Sequence, residues 1–103
     1  MAELTLQDHI DNVSDEFDFP RVYRVMQHLN WQWANTEGGT PTIGEMRRLV
    51  RKLMKDAYND CIRYGYDEYT IGTGGFEAYY NKEYEFFEVK FVVCEWRTDY
   101  RNE

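Results

Sequence analysis

The sequence is poor in the residues that mark secreted and membrane proteins. Its two cysteines, Cys61 and Cys94, are too few for a disulfide framework, so we expect a reducing, cytoplasmic location. The longest uncharged apolar run covers residues 91–94, whereas a membrane-spanning helix needs roughly 20 apolar residues. Residues 1–11 are acidic and contain no apolar stretch, so we expect no secretory signal. These absences predict a protein without a membrane partner.

Residue types that commonly carry catalysis are also scarce. Ser14 is the only serine, and no glycine elbow surrounds it. His9 and His28 have no second ligand at metal-binding spacing, and the sequence has no Cys-x-x-Cys motif. Cys61 falls on the apolar side of a predicted helix, where a thiol packs rather than reacts. The sequence therefore favours a protein that is not an enzyme and that holds neither a metal nor a cofactor.

Apolar and aromatic residues, in contrast, are abundant. Of the 103 residues, 43% are hydrophobic and 17% are aromatic, which argues against a disordered chain. This length suits one domain and is too short for two. We therefore predict a single domain over residues 1–103. Within it, the acidic segment 1–16 is expected to be a short helix or mobile, and residues 97–103 are expected to form a frayed tail.

The charge of the chain, −7 overall, is segregated along the sequence. Residues 1–20 carry six acidic residues and no basic one, residues 21–55 carry seven basic against two acidic, and residues 56–103 carry five basic against eleven acidic. Such a molecule has faces of opposite sign, which attract charged partners over a distance. The negative total disfavours direct binding to nucleic acid, which depends on a positive surface. The alternative is that the charges only keep a small protein in solution and that their segregation is partly chance.

Two short helices are predicted in the first third of the chain. A start signal followed by apolar residues at helical spacing indicates a helix over residues 5–13. Pro20 suits a first helical turn and Asp18 can cap it, which indicates a second helix over residues 20–29. The glycines and the proline of residues 35–41 then predict a loop.

The longest predicted helix covers Ile43–Tyr64. Thr42 and Glu45 match a capping box at its start, and Gly65 can end it in the left-handed conformation. Apolar residues recur along it at intervals of three and four, which predicts one buried stripe. That stripe consists of Met46, Leu49, Val50, Leu53, Ala57, Cys61 and Tyr64.

After the long helix, the apolar period changes to two, which is typical of strands. Residues 76–80 and 87–93 alternate in this way on either side of a turn near residues 81–83. A two-stranded sheet is marginal alone, so a further strand is expected at residues 69–71 or 17–19.

Helices followed by strands predict an α+β fold. We expect two or three helices packed on a small antiparallel sheet that is built around a C-terminal β-hairpin. The buried stripe of the long helix is expected to cover the apolar residues of that hairpin, namely Phe87, Phe91 and Val93.

Two groups of residues are candidates for binding a protein. The first lies in the acidic N-terminal segment and consists of Asp11, Asp15, Glu16 and Asp18. The second combines tyrosines and carboxylates around the hairpin and consists of Tyr79, Glu83, Tyr84 and Glu85. Tyrosine is favoured in binding surfaces because it supplies contact area at a small cost in entropy.

A nucleotide-like anionic ligand is the alternative partner. Consecutive amides of a glycine loop, Gly72, Thr73, Gly74 and Gly75, can approach a phosphate closely. The exposed bases Arg47, Arg51 and Lys55 would neutralise the phosphate, and Trp33 or Tyr69 would stack on a base. The loop lacks the fingerprint of the dinucleotide-binding and phosphate-binding loops. The competing interpretation is a glycine bend into the hairpin, together with a basic helix face that is solvated or paired with the acidic segment.

Several short motifs recur in a known group of proteins. They are FPRVY at 19–23 with Met26, LNWQW at 29–33, PT with Glu45 at 41–45, GTGGFEA at 72–78, and FVV followed by EW within 91–96. This pattern, spread over residues 17–97, resembles a group of small accessory proteins of tailed bacteriophages. The resemblance carries no known activity with it.

What the resemblance implies is a context. Phage accessory proteins of this size commonly act by binding host proteins or host defence molecules. It implies an inhibitor in the cytoplasm of an infected bacterial host, acting through an acidic surface that occupies the nucleic-acid groove of a host protein. Such a nucleic-acid mimic would be a monomer or a homodimer and would place its carboxylates on one connected face.

Overall fold

A computed structural model describes residues 5–31, 40–93 and 96–102. Its elements are α1 (Leu6–Glu16), α2 (Phe19–Leu29), α3 (Ile43–Tyr64), β1 (Glu68–Thr73), β2 (Phe76–Asn81), β3 (Phe86–Val93) and β4 (Trp96–Asn102). The strands form one antiparallel sheet in the order β1-β2-β3-β4. The predicted α+β fold, with helices packed on an antiparallel sheet, is confirmed. None of the helices in these described ranges has the length and hydropathy needed to cross a membrane.

Local capping explains where the first two helices begin. At the start of α1 the Thr5 amide donates to Asp8 Oδ2 and the Asp8 amide donates to Thr5 Oγ1. Hydrogen bonding from Thr5, first of all from its amide, holds the pKa of the Asp8 carboxyl below its usual range. Asp18 Oδ1 accepts from the amide of Arg21 at 3.1 Å and caps α2, as predicted. The alternative strand at residues 17–19 is wrong, because Phe17 ends α1 and Phe19 begins α2. Of the segment 1–16, the part that the structure describes is largely helical.

The bounds predicted for α3 are confirmed at both ends. Thr42 and Glu45 form the capping box, and Gly65 has a left-handed φ of 71°. The predicted stripe is buried at Met46, Val50, Leu53, Ala57 and Cys61 and half-buried at Leu49. Tyr64 is the exception at 58% exposed. It is the last residue of α3, and its ring lies 6.0 Å from that of Tyr66 and below the Arg63 guanidinium instead of in the core.

The sheet is larger than the predicted hairpin. The strand expected at residues 69–71 is confirmed as part of β1, and β1 turns into β2 through Gly74 and Gly75, whose φ values are 63° and 91°. A two-residue turn with positive φ at both positions matches the twist of antiparallel strands. The frayed tail predicted for residues 97–103 is wrong over residues 97–102, because β4 pairs with β3 from Val93↔Trp96 to Phe87↔Asn102, and residue 103 lies outside the described residues.

The core lies between the helices and one face of the sheet. Phe76, Ala78 and Tyr80 of β2 and their register partners Phe91, Val89 and Phe87 of β3 form this covered face. The packing differs from the prediction in one respect. The stripe of α3 lies mainly on β1 and β2, whereas α1 lies on β3 and β4, with the His9 ring 5.0 Å from that of Phe87. The sequence did not show that two helices divide this face between them.

Candidate protein-binding surface

The face of the sheet opposite the core carries the candidate site. Residues that face each other across antiparallel strands share a face, so Glu77 and Tyr79 lie opposite the helices together with their partners on β1 and β3. We call this surface the open sheet face. It consists of Glu68, Thr70, Glu77, Tyr79, Glu88 and Lys90.

Charged groups on the open sheet face are held in place by their neighbours. Glu77 lies opposite Lys90 in the register, and Lys90 Nζ lies 2.9 Å from Glu88 Oε1. The Glu88 side chain is only 14% exposed and that of Lys90 is 30% exposed, so this ion pair is partly removed from water. Together with Thr70 and Tyr79, these residues line a depression of about 250 Å³. The six residues of this surface thus carry three carboxylates, counting Glu68, and one ammonium group, and the register sets Arg101 of β4 opposite Glu88 and Asp99 opposite Lys90.

A hydrogen-bonded network centred on Tyr79 orders the neighbouring part of this face. The Tyr79 hydroxyl donates to Glu68 Oε2 at 2.7 Å and accepts from Asn81 Nδ2 at 3.0 Å. Asn81 Oδ1 in turn accepts from the Tyr84 amide in the β2–β3 turn. The network therefore fixes the orientation of the Glu68 carboxylate and joins it to the turn.

A second, shallower depression adjoins this network at the start of β1. Its volume is about 380 Å³, and its walls are Tyr66, Glu68, Tyr69, Thr70 and Tyr79. The rings of Tyr66 and Tyr69 stack at 5.7 Å with an angle of 9° between their planes. We call this the tyrosine depression. It combines aromatic faces with an oriented carboxylate.

The predicted acidic group on α1 is partly used within the fold. Arg51 of α3 donates to Ser14 Oγ at 2.7 Å and to Asp11 Oδ1 at 3.3 Å, which ties α3 to α1. Asp18 caps α2. Asp15 and Glu16 are exposed. The interpretation that the basic helix face pairs with the acidic segment thus applies to Arg51 and Asp11.

The second predicted binding group, around the hairpin, lies in two parts of the structure. Tyr79 lies on the open sheet face, as described above. Glu83, Tyr84 and Glu85 form the exposed β2–β3 turn, where Tyr84 is 71% exposed and Glu85 has a left-handed φ of 54°. The turn is joined to the open sheet face through Asn81.

The elements of the alternative anion site have other contacts. Gly74 and Gly75 form the β1–β2 turn, while Gly72 and Thr73 belong to β1, so the glycine bend is the structural role of this segment. A side chain on Gly72 would meet Phe76 O and Glu77 Cγ at 2.9 Å. Close packing against the backbone therefore accounts for glycine at position 72, and no bound ligand is needed to explain it.

The bases and rings of that site are directed elsewhere. Arg47 lies over the Phe19 ring at 5.4 Å, and Arg51 bonds to α1. Lys55 is exposed on α3, and Tyr69 stacks on Tyr66. Trp33 lies outside the described residues.

Two other side chains that could carry chemistry, Cys61 and His9, are buried on the helical side of the sheet. The Cys61 thiol donates to Tyr66 O at 3.1 Å, and burial raises its pKa, which disfavours the thiolate. His9 Nδ1 is buried and has no hydrogen-bond partner among the described residues. Within the same ranges, no group of three histidine, cysteine or carboxylate side chains is placed to hold a metal.

Sequence reasoning missed five charged or polar members of the site, which are Glu68, Thr70, Glu77, Glu88 and Lys90. The alternation of charged with apolar residues along each strand placed them on the wet face. Only the register could show that they adjoin one another.

Comparisons with protein-family models, with curated proteins and with solved structures give no match.

Proposed function

We propose that the protein is a non-catalytic binding protein whose open sheet face docks a basic surface of a protein partner. The observation that carries this proposal is the ordering of its carboxylates. Tyr79 holds Glu68, and Lys90 holds Glu88, so these acceptors are fixed before a partner arrives. Preorganised carboxylates suit the guanidinium groups of arginine, which form paired hydrogen bonds to them.

The charge of the chain supports a basic partner. The net charge is −7, and residues 56–103, which include the whole sheet, hold eleven acidic residues against five basic ones. A surface of this sign speeds encounter with a positive partner and repels nucleic acid.

The resemblance to phage accessory proteins indicates what kind of partner the protein would bind. The partner would be a host protein that itself binds nucleic acid, and the open sheet face would occupy its basic groove as an inhibitor. Competition by duplex DNA for the captured partner would then be expected, because both ligands would use one surface.

The test compares two pairs of substitutions that each replace two carboxylates by neutral amides. The immobilised protein is presented to bacterial lysate beside a Glu77→Gln/Glu88→Gln variant and a control with Asp15→Asn/Glu16→Gln on α1. Both variants lose two negative charges, so their long-range fields change alike. We expect the sheet variant to lose its partner while the α1 variant retains it, and we expect capture by the parent protein to weaken as salt rises.

Two results would contradict the proposal. One is retention by the sheet variant with loss by the α1 variant, which would move the interface to the acidic segment. The other is the absence of any captured protein at low salt.

A further inference from the structure

The outer edge of β1 is a strand edge without the usual protection. All six residues of β1 pair with β2 on the inner side, and no described segment pairs with the outer side. No residue of β1 is fully buried. Proteins commonly block such edges with lysine, proline or a bulge. The sequence EYTIGT contains neither lysine nor proline, and its register with β2 is continuous, so no bulge interrupts it.

The tyrosine depression lies at the start of this edge. Tyr66, which is 50% exposed, stacks on Tyr69, and Glu68 is oriented by the Tyr79 hydroxyl. Aromatic faces attract cations through their electron-rich centres, and a carboxylate completes the recognition of an ammonium or guanidinium group. The chemistry of these walls therefore selects a cationic side chain.

The charge along the edge selects the same kind of partner. Residues 64–81, which form the edge and most of the depression, contain Asp67, Glu68 and Glu77 and no basic residue. A second copy of this chain would bring the same acidic strand to the edge. A basic segment would bring complementary charge instead.

We infer that the partner supplies an extended, basic segment that pairs with β1 as a fifth strand and places one arginine or lysine side chain in the tyrosine depression. This inference rests on the proposed function and names the segment of the partner that makes the contact. Main-chain hydrogen bonds to the edge would provide affinity, and alternate side chains would provide specificity. Side chains on the open side of the added strand would lie beside Glu68 and Thr70.

The test uses a short synthetic peptide in which arginine alternates with valine, labelled for fluorescence anisotropy. Two matched peptides accompany it. One has citrulline in place of arginine, which removes the positive charge at nearly constant shape, and the other has every backbone amide methylated, so that neither of its edges can pair as a strand. We expect the arginine peptide to bind more tightly than both, and hydrogen exchange to show added protection confined to the β1 amides.

Substitutions in the protein localise the contact. Tyr66→Ala and Glu68→Gln should each weaken binding of the arginine peptide about two- to fivefold, the range for an exposed cation–aromatic or ion-pair contact. Tyr84→Ala and Glu83→Gln are the matched controls, because both change exposed residues of the β2–β3 turn in the same way. We expect the controls to bind as the parent protein does.

Four outcomes would overturn the inference. If Glu68→Gln and Glu83→Gln weakened binding of the arginine peptide equally, the peptide would be attracted by the overall negative charge and not bound at a specific site. Equal binding of the methylated peptide would exclude strand addition, and equal binding of the citrulline peptide would exclude the cationic contact. Self-association of the protein that is weakened by Tyr66→Ala would show that the edge of β1 binds a second copy of the chain.

The proposed function can be judged separately. If the partner captured from lysate binds the Tyr66→Ala and Glu68→Gln variants as well as the parent protein, but is lost from the Glu77→Gln/Glu88→Gln variant, the inference fails and the proposed function stands.

Discussion

Along β2, neighbouring residues belong to two different environments. Phe76 is 1% exposed and packs on Phe17 and Phe91, whereas Glu77 is exposed and lies opposite Lys90. The same alternation continues through Ala78 and Tyr79. The covered face thus provides the apolar burial that stabilises the fold, and the open face provides oriented polar groups. One strand can serve both purposes because successive side chains point to opposite sides.

Changes on the open face should leave the fold intact. Burial of apolar surface supplies most of the stabilising free energy of a small domain, and exposed charges supply little. Substitutions that separate stability from binding can therefore be chosen from adjacent positions in the sequence.

The largest expected difference is between Phe76→Ala and Glu77→Ala. Removing the Phe76 ring should lower the free energy of unfolding by about 3–5 kcal/mol, since it leaves a cavity between the sheet and the helices. Removing the Glu77 carboxylate should change it by less than about 0.5 kcal/mol. Leu53→Ala, on the α3 stripe, should cost about 2–5 kcal/mol. Chemical denaturation measures all three, and a large loss with Glu77→Ala would contradict the division of the two faces.

High pH should lower the stability of the fold through ionisation of Tyr80, which lies on the covered face of the sheet. Burial first, and then the neighbouring Tyr58 and Glu85, raise the pKa of the Tyr80 phenol to about 12. The folded state therefore favours the neutral phenol, so stability is complete below the unfolded pKa of about 10 and is lost as pH rises through about 12. Tyr80→Phe should remove this part of the loss. Unfolding measured over alkaline pH, with tyrosinate absorbance recorded in parallel, checks the assignment, and an unchanged pH profile in Tyr80→Phe would refute it.

A smaller effect is expected where α3 is tied to α1. Arg51→Met should lower the free energy of unfolding by about 1 kcal/mol, because the half-buried hydrogen bond to Ser14 is lost. Lys52→Met is the control. It breaks an exposed pair with Asp56 at 2.9 Å, for which about 0.5 kcal/mol or less is expected. Hydrogen exchange should show faster opening of α1 amides only in Arg51→Met, and equal exchange in both variants would mean that Arg51 does not tie the helices.

Local signals made the helices and two strands of the sheet predictable. The capping box at Thr42 and Glu45 and the glycine at 65 fixed the ends of α3, because these signals act within a few residues. Alternation identified β2 and β3 for the same reason. The fourth strand escaped prediction although its residues alternate, since its pairing with β3 is a contact between segments and not a property of either one.

The candidate site was less predictable than the fold. Its members Tyr79 and Tyr69 were among the predicted binding residues, but they had been assigned to different sites. The structure places both around one depression with Glu68, although Tyr79 lies opposite Thr70 on the open sheet face and Tyr69 lies opposite Tyr80 on the covered side, so the depression extends around the edge of β1. Arg51 was predicted to neutralise a phosphate, whereas in the structure its guanidinium donates to Ser14 of α1.

By itself the sequence determined the identity of the elements and the polarity of their faces, because helix caps, turn glycines and apolar periods act over a few neighbouring residues. Which charges adjoin one another was decided only by the tertiary structure. Glu68, Glu77 and Glu88 lie on three different strands, and their proximity depends on the register that hydrogen bonding and core packing select. Whether a carboxylate is a helix cap, a tie between helices or a member of a binding face follows from that arrangement, since its role is set by the group that it meets.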